Sequence, residues 1–259
     1  MSAGIGVVFR PDFRPDTLRQ TASAAERAGI AELWLWEDCF QQGGIAAAAV
    51  ALSSSETLTV GLGVLPAPLR NVVTTAMEIA TLEAMFPGRL RVGIGHGLQD
   101  WMRQAGAAVA SPLTLMREYV TTLSDLLAGQ CVTVHGRYVR LTDVQLDWAP
   151  QQRVPVLIGG TGPKTLALAG EISDGVILDA QYTPATLQDA LGHVATGRAD
   201  RGEVPFGTVL FLACGADQVA GSADPYLGAG VDTLVFQPVG PQSGMSELIT
   251  AVGDVAGRL

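Results

Sequence analysis

Short runs of Val, Ile and Leu alternate with helical patterns along the whole chain, and this alternation limits the fold more than any other feature. The runs are Ile5–Phe9, Glu32–Trp36, Leu58–Val64, Leu90–Gly95, Val154–Ile158, Gly175–Leu178, Thr208–Ala213 and Thr233–Phe236. Most lack a strict polar–apolar alternation, as strands buried on both faces of a parallel sheet do. Between them, Pro15–Ala28, Gly44–Ser54, Val72–Phe86, Pro112–Leu127, Pro163–Gly170, Pro184–Thr196, Ala216–Leu227 and Ser243–Arg258 read as helices. Their apolar stripes are core faces. Ser111 and Pro112 mark one helix start, as N-cap and first-turn proline. Eight strands and eight helices in turn predict a closed (β/α)8 barrel, with an open doubly wound sheet as the alternative. One segment breaks the rhythm. Cys131–Leu141, CVTVHGRYVRL, alternates with period two around Gly136 and predicts a small hairpin between the fourth helix and the fifth strand.

Composition narrows the class. A length of 259 residues suits one barrel domain, residues 1–259, with a large core. The chain is 48% hydrophobic and only 16% charged, which excludes disorder. A net charge of −9 without a basic run argues against a nucleic-acid partner. There is no 18-residue apolar span and no basic-then-apolar start, so neither a membrane partner nor a secretory signal is expected. Cys39, Cys131 and Cys214 are odd in number, far apart and form no CxxC; free thiols of this kind predict a reducing, cytoplasmic setting. His96, His135 and His193 are scattered, so no metal site is expected.

In a parallel barrel, ligands bind at the C-terminal ends of the strands. The residues that follow the predicted strands include Trp36, Glu37, Asp38, Arg70, His96, Trp101, Asp179 and Gln237. After the fifth strand comes Gly159-Gly160-Thr161-Gly162-Pro163-Lys164, which opens a helix and holds the only lysine of the chain against fifteen arginines. Unpaired N–H groups and the positive end of a helix dipole make such a turn a natural seat for phosphate. The turn matches neither a Walker A loop nor a GxGxxG fingerprint, so a tight structural connection with a solvated lysine is the competing reading. No Ser-His-Asp, Cys-His or spaced carboxylate pair stands out. The rim therefore suits a planar, phosphorylated cofactor that brings the chemistry while the protein orients it. His96, Asp38 and Glu37 are the candidates for moving protons, and Trp36 and Trp101 for lining the substrate. Glu37 and Asp38 are adjacent and point apart, so one of them is expected to cap the next helix or pair with an arginine.

Three stretches carry a family resemblance: GLGVLPAPLRNVVTTAMEIATLEAMFPGRLRVGIGHG, REYVTTLSDLLAGQCVTVHGRYVRL and VPVLIGGTGPKTLALAGEISDGVIL. In this order they resemble the bacterial luciferase-like family, and in particular its branch that uses the 8-hydroxy-5-deazaflavin coenzyme F-420. The resemblance implies a (β/α)8 barrel with the deazaflavin ring, or that of FMN, in the mouth and its phosphate at Gly160–Lys164. It implies a non-proline cis bond at Gly63–Val64 behind the ring, so Gly63 and Val64 join Gly159 to Lys164 and His96 as cofactor-binding candidates. With the deazaflavin, the implied activity is hydride transfer to or from a small organic substrate. With FMN it is a monooxygenase fed by a partner flavin reductase. A barrel that binds flavin without turnover is the third reading. Relatives often carry an acidic residue followed by His where this chain has Asp38 and Cys39, which shifts attention to His96. Leu98 stands near the place of a glutamate found in relatives that oxidise glucose 6-phosphate, so that activity is not expected. Relatives are often dimers, and the apolar composition permits a homodimer here.

Overall fold

A computed structural model describes residues 4–258; of the domain expected over residues 1–259, positions 1–3 and 259 lie outside the described residues. Eight parallel strands close into a barrel in the order β1-β10-β9-β8-β7-β4-β3-β2. They are β1 (Gly4–Phe9), β2 (Glu32–Leu35), β3 (Thr59–Pro66), β4 (Leu90–Gly95), β7 (Val156–Gly159), β8 (Gly175–Leu178), β9 (Gly207–Cys214) and β10 (Thr233–Pro238). The outer helices are α1 (Leu18–Arg27), α2 (Gly44–Ser53), α3 (Val72–Met85), α5 (Pro112–Leu127), α6 (Pro163–Ile172), α7 (Pro184–Arg198) and α10 (Met245–Ala256). Closure of the sheet decides against the open doubly wound alternative.

Three helical details depart from the sequence pattern. The segment expected as one helix over Ala216–Leu227 is two single turns, α8 (Val219–Ser222) and α9 (Asp224–Leu227). Pro225 sits in the first turn of α9, where its missing N–H costs nothing, but it cannot continue a helix from α8. A short helix, α4 (Gln99–Gln104), lies in the connection after β4, too brief to leave a periodic signal. Ser111 holds the N-cap position of α5, yet its hydroxyl pairs with Thr114 Oγ1 at 2.7 Å and caps no backbone N–H.

The strand boundaries also shift. β2 stops at Leu35 and releases Trp36 into the following loop. The seventh strand starts at Val156 rather than Val154, since Pro155 has no N–H for a ladder. The expected hairpin is present as β5 (Val132–His135) and β6 (Arg140–Val144), antiparallel with His135 opposite Arg140. One carboxylate ties it to the barrel. Glu118 on α5 accepts N–H bonds from Arg137, Tyr138 and Val139 at 2.9, 2.8 and 3.0 Å.

The core has two parts. The larger lies between the strands and the helix ring, from Leu18 and Ala22 of α1 round to Leu248 and Val252 of α10. The smaller fills the barrel interior with Val8, Trp34, Leu157, Ile177, Val209, Phe211 and Val235. Trp34 fits because its neighbour on β3 is Gly61: a Cβ there would stand 2.2 Å from the indole ring. Trp34 Nε1 donates to buried Glu32 Oε2 at 2.8 Å, and Glu32 Oε1 pairs with Arg91 at 2.9 Å. Burial raises the pKa of the Glu32 carboxyl, opposed by Arg91 and by the Trp34 bond. This network closes the N-terminal end of the interior with every polar atom named here engaged.

The hairpin anchor gives a first prediction. Burial raises the pKa of Glu118, but the three N–H bonds outweigh it and the net shift is downward. A depressed carboxylate contributes stability above its unfolded pKa and loses it as pH falls through the folded one. Glu118→Gln should therefore cost about 1–2 kcal/mol in urea denaturation near neutral pH. The gap to wild type should close in acid; a gap that stays constant with pH would show that the charge is not what holds the hairpin.

Candidate active site

The C-terminal ends of the strands surround a cavity of about 560 Å3. Its floor depends on β3. The peptide bond between Gly63 and Val64 is cis, and the β3–β4 pairing changes register between Leu62 and Leu65. Val64 is thereby turned against three glycines of the neighbouring strands. A Cβ on Gly95 would stand 2.4 Å from Val64 Cγ2, and a Cβ on Gly159 2.5 Å from Cγ1. A Cβ on Gly93 would be 3.2 Å from that same methyl. Only glycine at these positions lets the valine seat between β3, β4 and β7. A second cis bond joins Cys39 to Phe40 in the loop after β2.

The wall is aromatic and apolar: Trp36, Pro66, Leu98, Trp101, Met102, Ile177 and Phe211. Trp36 and Phe211 pack with ring centroids 5.7 Å apart, and Trp36 Nε1 is buried without an acceptor. α4 supplies both Trp101 and Met102.

The two adjacent carboxylates after β2 have separate fates. Glu37 is locked. Arg70 donates Nε to its Oε1 at 2.8 Å and Nη2 to its Oε2 at 2.6 Å, and Gly44 N–H donates to Oε2 at 2.6 Å. Glu37 thus caps the start of α2 and pairs with an arginine that also binds Glu78 at 2.8 Å. Three donors thus hold Glu37, an arrangement that fixes the loop while the residue still lines the cavity. Asp38, by contrast, makes no side-chain hydrogen bond or ion pair among the described residues. Burial raises its pKa, and the charge of Asp12 raises it further. A carboxyl that lines a cavity unpartnered, its pKa raised by burial, is suited to proton transfer. His96 also lines the cavity, with Nδ1 3.4 Å from the carbonyl oxygen of Gly97.

Of the residues singled out from the sequence, Trp36, Glu37, Asp38, Gly63, Val64, His96, Trp101, Gly159, Gly160 and Thr161 come together on this one cavity. Gly162 and Pro163 stand just beyond it at the start of α6. Lys164 lines a separate cleft with Leu113, Thr114, Arg117 and Leu168. Met102, Ile177 and Phe211 were not legible as site residues. Ile177 and Phe211 sit mid-strand and declare themselves only when the barrel turns them inward. Among the described residues, no group of three or more His, Cys, Asp and Glu could hold a metal ion.

Sequence comparison assigns the family. The family model for luciferase-like monooxygenases matches residues 2–224. The chain belongs to the bacterial luciferase-like family. It is 28% identical over 200 residues to a 5,10-methylenetetrahydromethanopterin reductase from Methanolobus tindarius, covering 77% of this chain and 61% of that one. Over 215 residues it is 27% identical to the same enzyme from Archaeoglobus fulgidus, covering 82% and 64%. The chain thus spans about three fifths of the length of these curated relatives. Among solved structures, a coenzyme F-420-dependent secondary alcohol dehydrogenase superposes with a TM-score of 0.88 at 18% identity, covering 99% of both chains. At that identity the likeness speaks for the fold.

The lock on Glu37 can be checked. Glu37→Gln should lower stability by about 1–2 kcal/mol, because one amide oxygen cannot satisfy both the Arg70 fork and the Gly44 N–H and the remaining charge partner of Arg70 is Glu78 alone. Thermal or urea unfolding measures this. Unchanged stability with lost turnover would return Glu37 to the chemistry.

Proposed function

We propose that this chain is an oxidoreductase of the luciferase-like family that uses coenzyme F-420 and exchanges a hydride with a small organic substrate. The observation that carries the reading is Asp38: an unpartnered carboxyl, its pKa raised by burial, on the wall of an aromatic mouth, beside a glycine turn with free N–H groups. The cofactor dependence of the F-420 branch, to which the sequence is similar, supports it.

The residues present fit such a cofactor. Trp36, Val64, Ile177 and Phe211 offer flat and aliphatic surface for a tricyclic ring, and a volume of about 560 Å3 is in the range of ligand sites. The N–H groups of Thr161, Gly162 and Lys164 make no hydrogen bond within the described protein, while those of Thr165 and Leu166 bond back to Gly162 O at 2.9 and 3.0 Å. A Cβ on Gly162 would meet nothing within 4 Å, so the turn leaves open space above those donors. Phosphate would sit there, with Lys164 at the edge of the same helix start.

When bound, the deazaflavin supplies a ring carbon that takes or gives a hydride, that is, two electrons and a proton's worth of hydrogen. The protein's share is to hold the other proton. For an alcohol substrate, the hydroxyl proton passes to Asp38 or His96 as the carbonyl forms; in the reverse direction the same group returns it. Trp36 and Trp101 would hold the substrate against the ring, and the packed floor of Val64, Ile177 and Phe211 keeps water from the inner side.

The family's monooxygenases give the competing reading, in which FMN is the cofactor and a flavin reductase the partner. Two further points belong to the proposal. α2 carries no charged residue, and Met77 and Met85 on neighbouring α3 are 56% and 65% exposed, a surface suited to a homodimer. Cys39, Cys131 and Cys214 are free thiols and no described helix is long and apolar enough to cross a membrane; a cytoplasmic setting is consistent with both.

Fluorescence titration of the purified protein with the deazaflavin and with FMN separates the readings. Tight binding of the deazaflavin is the expected result. Lys164→Ala should weaken it, and Gly162→Val more so, without loss of stability; wild-type affinity in both would remove the phosphate assignment. Tight binding of FMN instead would favour the monooxygenase reading. Asp38→Asn should retain cofactor binding and lose about 100-fold or more in turnover. His96→Ala tests the alternative proton carrier in the same assay, and whichever variant leaves the rate unchanged names a residue outside the mechanism.

A further inference from the structure

The closed strand order divides the barrel mouth into two halves. The connections after β7 and β8 bring Gly160, Thr161, Asp179 and Gln181 to one half. Those after β10, β2 and β4 bring Val239, Phe40 and Leu98 to the other. These three side chains are 53%, 65% and 59% exposed. Of the three, Leu98 lines the cavity itself, while Phe40 and Val239 each follow a lining residue, Asp38 and Gln237, by two positions, so exposed apolar surface borders the opening. On that arc the cavity wall continues the theme with Trp36, Pro66, Trp101 and Met102.

The charge of the mouth points the same way. Among the described residues, no lysine or arginine lines the cavity, and its charged groups are the carboxyls of Glu37, Asp38 and Asp179. Arg70 neutralises Glu37. Asp38 and Asp179 have no cation within ion-pair distance, and the arginines around the mouth are engaged elsewhere, Arg10 with Asp12 and Arg103 with Asp100. An anionic substrate would leave water to face carboxylates with no counter-charge, which costs both desolvation and repulsion. A neutral molecule with an apolar body meets neither cost and covers the exposed rim.

We propose that the substrate of this site is an uncharged organic molecule with an extended apolar body, and that the mouth discriminates against phosphorylated and carboxylated compounds. This rests on the reading of the mouth as the redox site, with the one anion it accepts, the cofactor phosphate, held outside the cavity at the start of α6.

The test compares two probes of equal length, 2-octanone and 7-oxooctanoate, which share a methyl ketone and differ by a terminal carboxylate. Ligand-observed NMR gives their dissociation constants on the protein before and after addition of the deazaflavin, whose own uptake is followed by fluorescence. The expected result is binding of 2-octanone, with 7-oxooctanoate at least about ten-fold weaker. In Leu98→Arg, at an exposed position that tolerates a long side chain, the ratio should shrink several-fold through tighter binding of the carboxylate. Equal or tighter binding of 7-oxooctanoate to the unaltered protein overturns the inference, as does binding of neither ketone. If the deazaflavin is not taken up while 2-octanone keeps its ten-fold advantage, the cofactor reading fails and the charge selection stands.

Discussion

The seat of Val64 is the constraint on which the rest of this structure depends. Its methyl groups occupy space that Gly93, Gly95 and Gly159 leave empty on two neighbouring strands. The same contact closes the barrel at this level and makes the floor of the mouth. A Cβ on Gly95 or Gly159 would collide with the Val64 methyl groups, so a larger side chain at either place requires the valine to move. Fold and site are therefore not separable here; the glycines that complete the core also define where a planar ligand can lie.

Adjacent carboxylates on one loop are put to opposite uses by their neighbours. Glu37 accepts three hydrogen bonds, two from Arg70 and one from the start of α2, and they hold the loop in place. That rigidity carries Asp38 to the cavity wall with no partner of its own. The loop thus contains its own fixture and its own reactive group in consecutive residues. Removing the fixture would be expected to disturb the reactive group as well, since both ride on the same few backbone bonds.

Much of the fold was legible in the sequence because strands buried on both faces leave short apolar runs rich in Val, Ile and Leu between the helical stretches. The closed barrel, the hairpin around Gly136 and the placement of Trp36, Asp38, His96 and Thr161 on one rim all follow from that pattern. What was not legible depended on contacts between distant residues. Phe211 joins the site because β9 turns it inward, and the sequence of β9 alone is equally apolar on both sides. α4 is one and a half turns long, below the length at which a period shows. Adjacency said that Glu37 and Asp38 diverge, but only the position of Arg70, thirty-three residues away, decides which of the two is engaged. Lys164 is the reverse case: the turn drew attention to it, yet its side chain lines a neighbouring cleft.

The interior of the barrel beneath the mouth is solid. Trp34 packs edge-on against Phe211 with centroids 5.6 Å apart, and Glu32 and Arg91 seal the level below. A cavity closed in this way from beneath imposes an order of events on anything that uses it. Of two molecules stacked in such a cavity, the deeper one would have to arrive first and leave last. The single entrance follows from a tryptophan and an ion pair that lie beneath the cavity and do not line it.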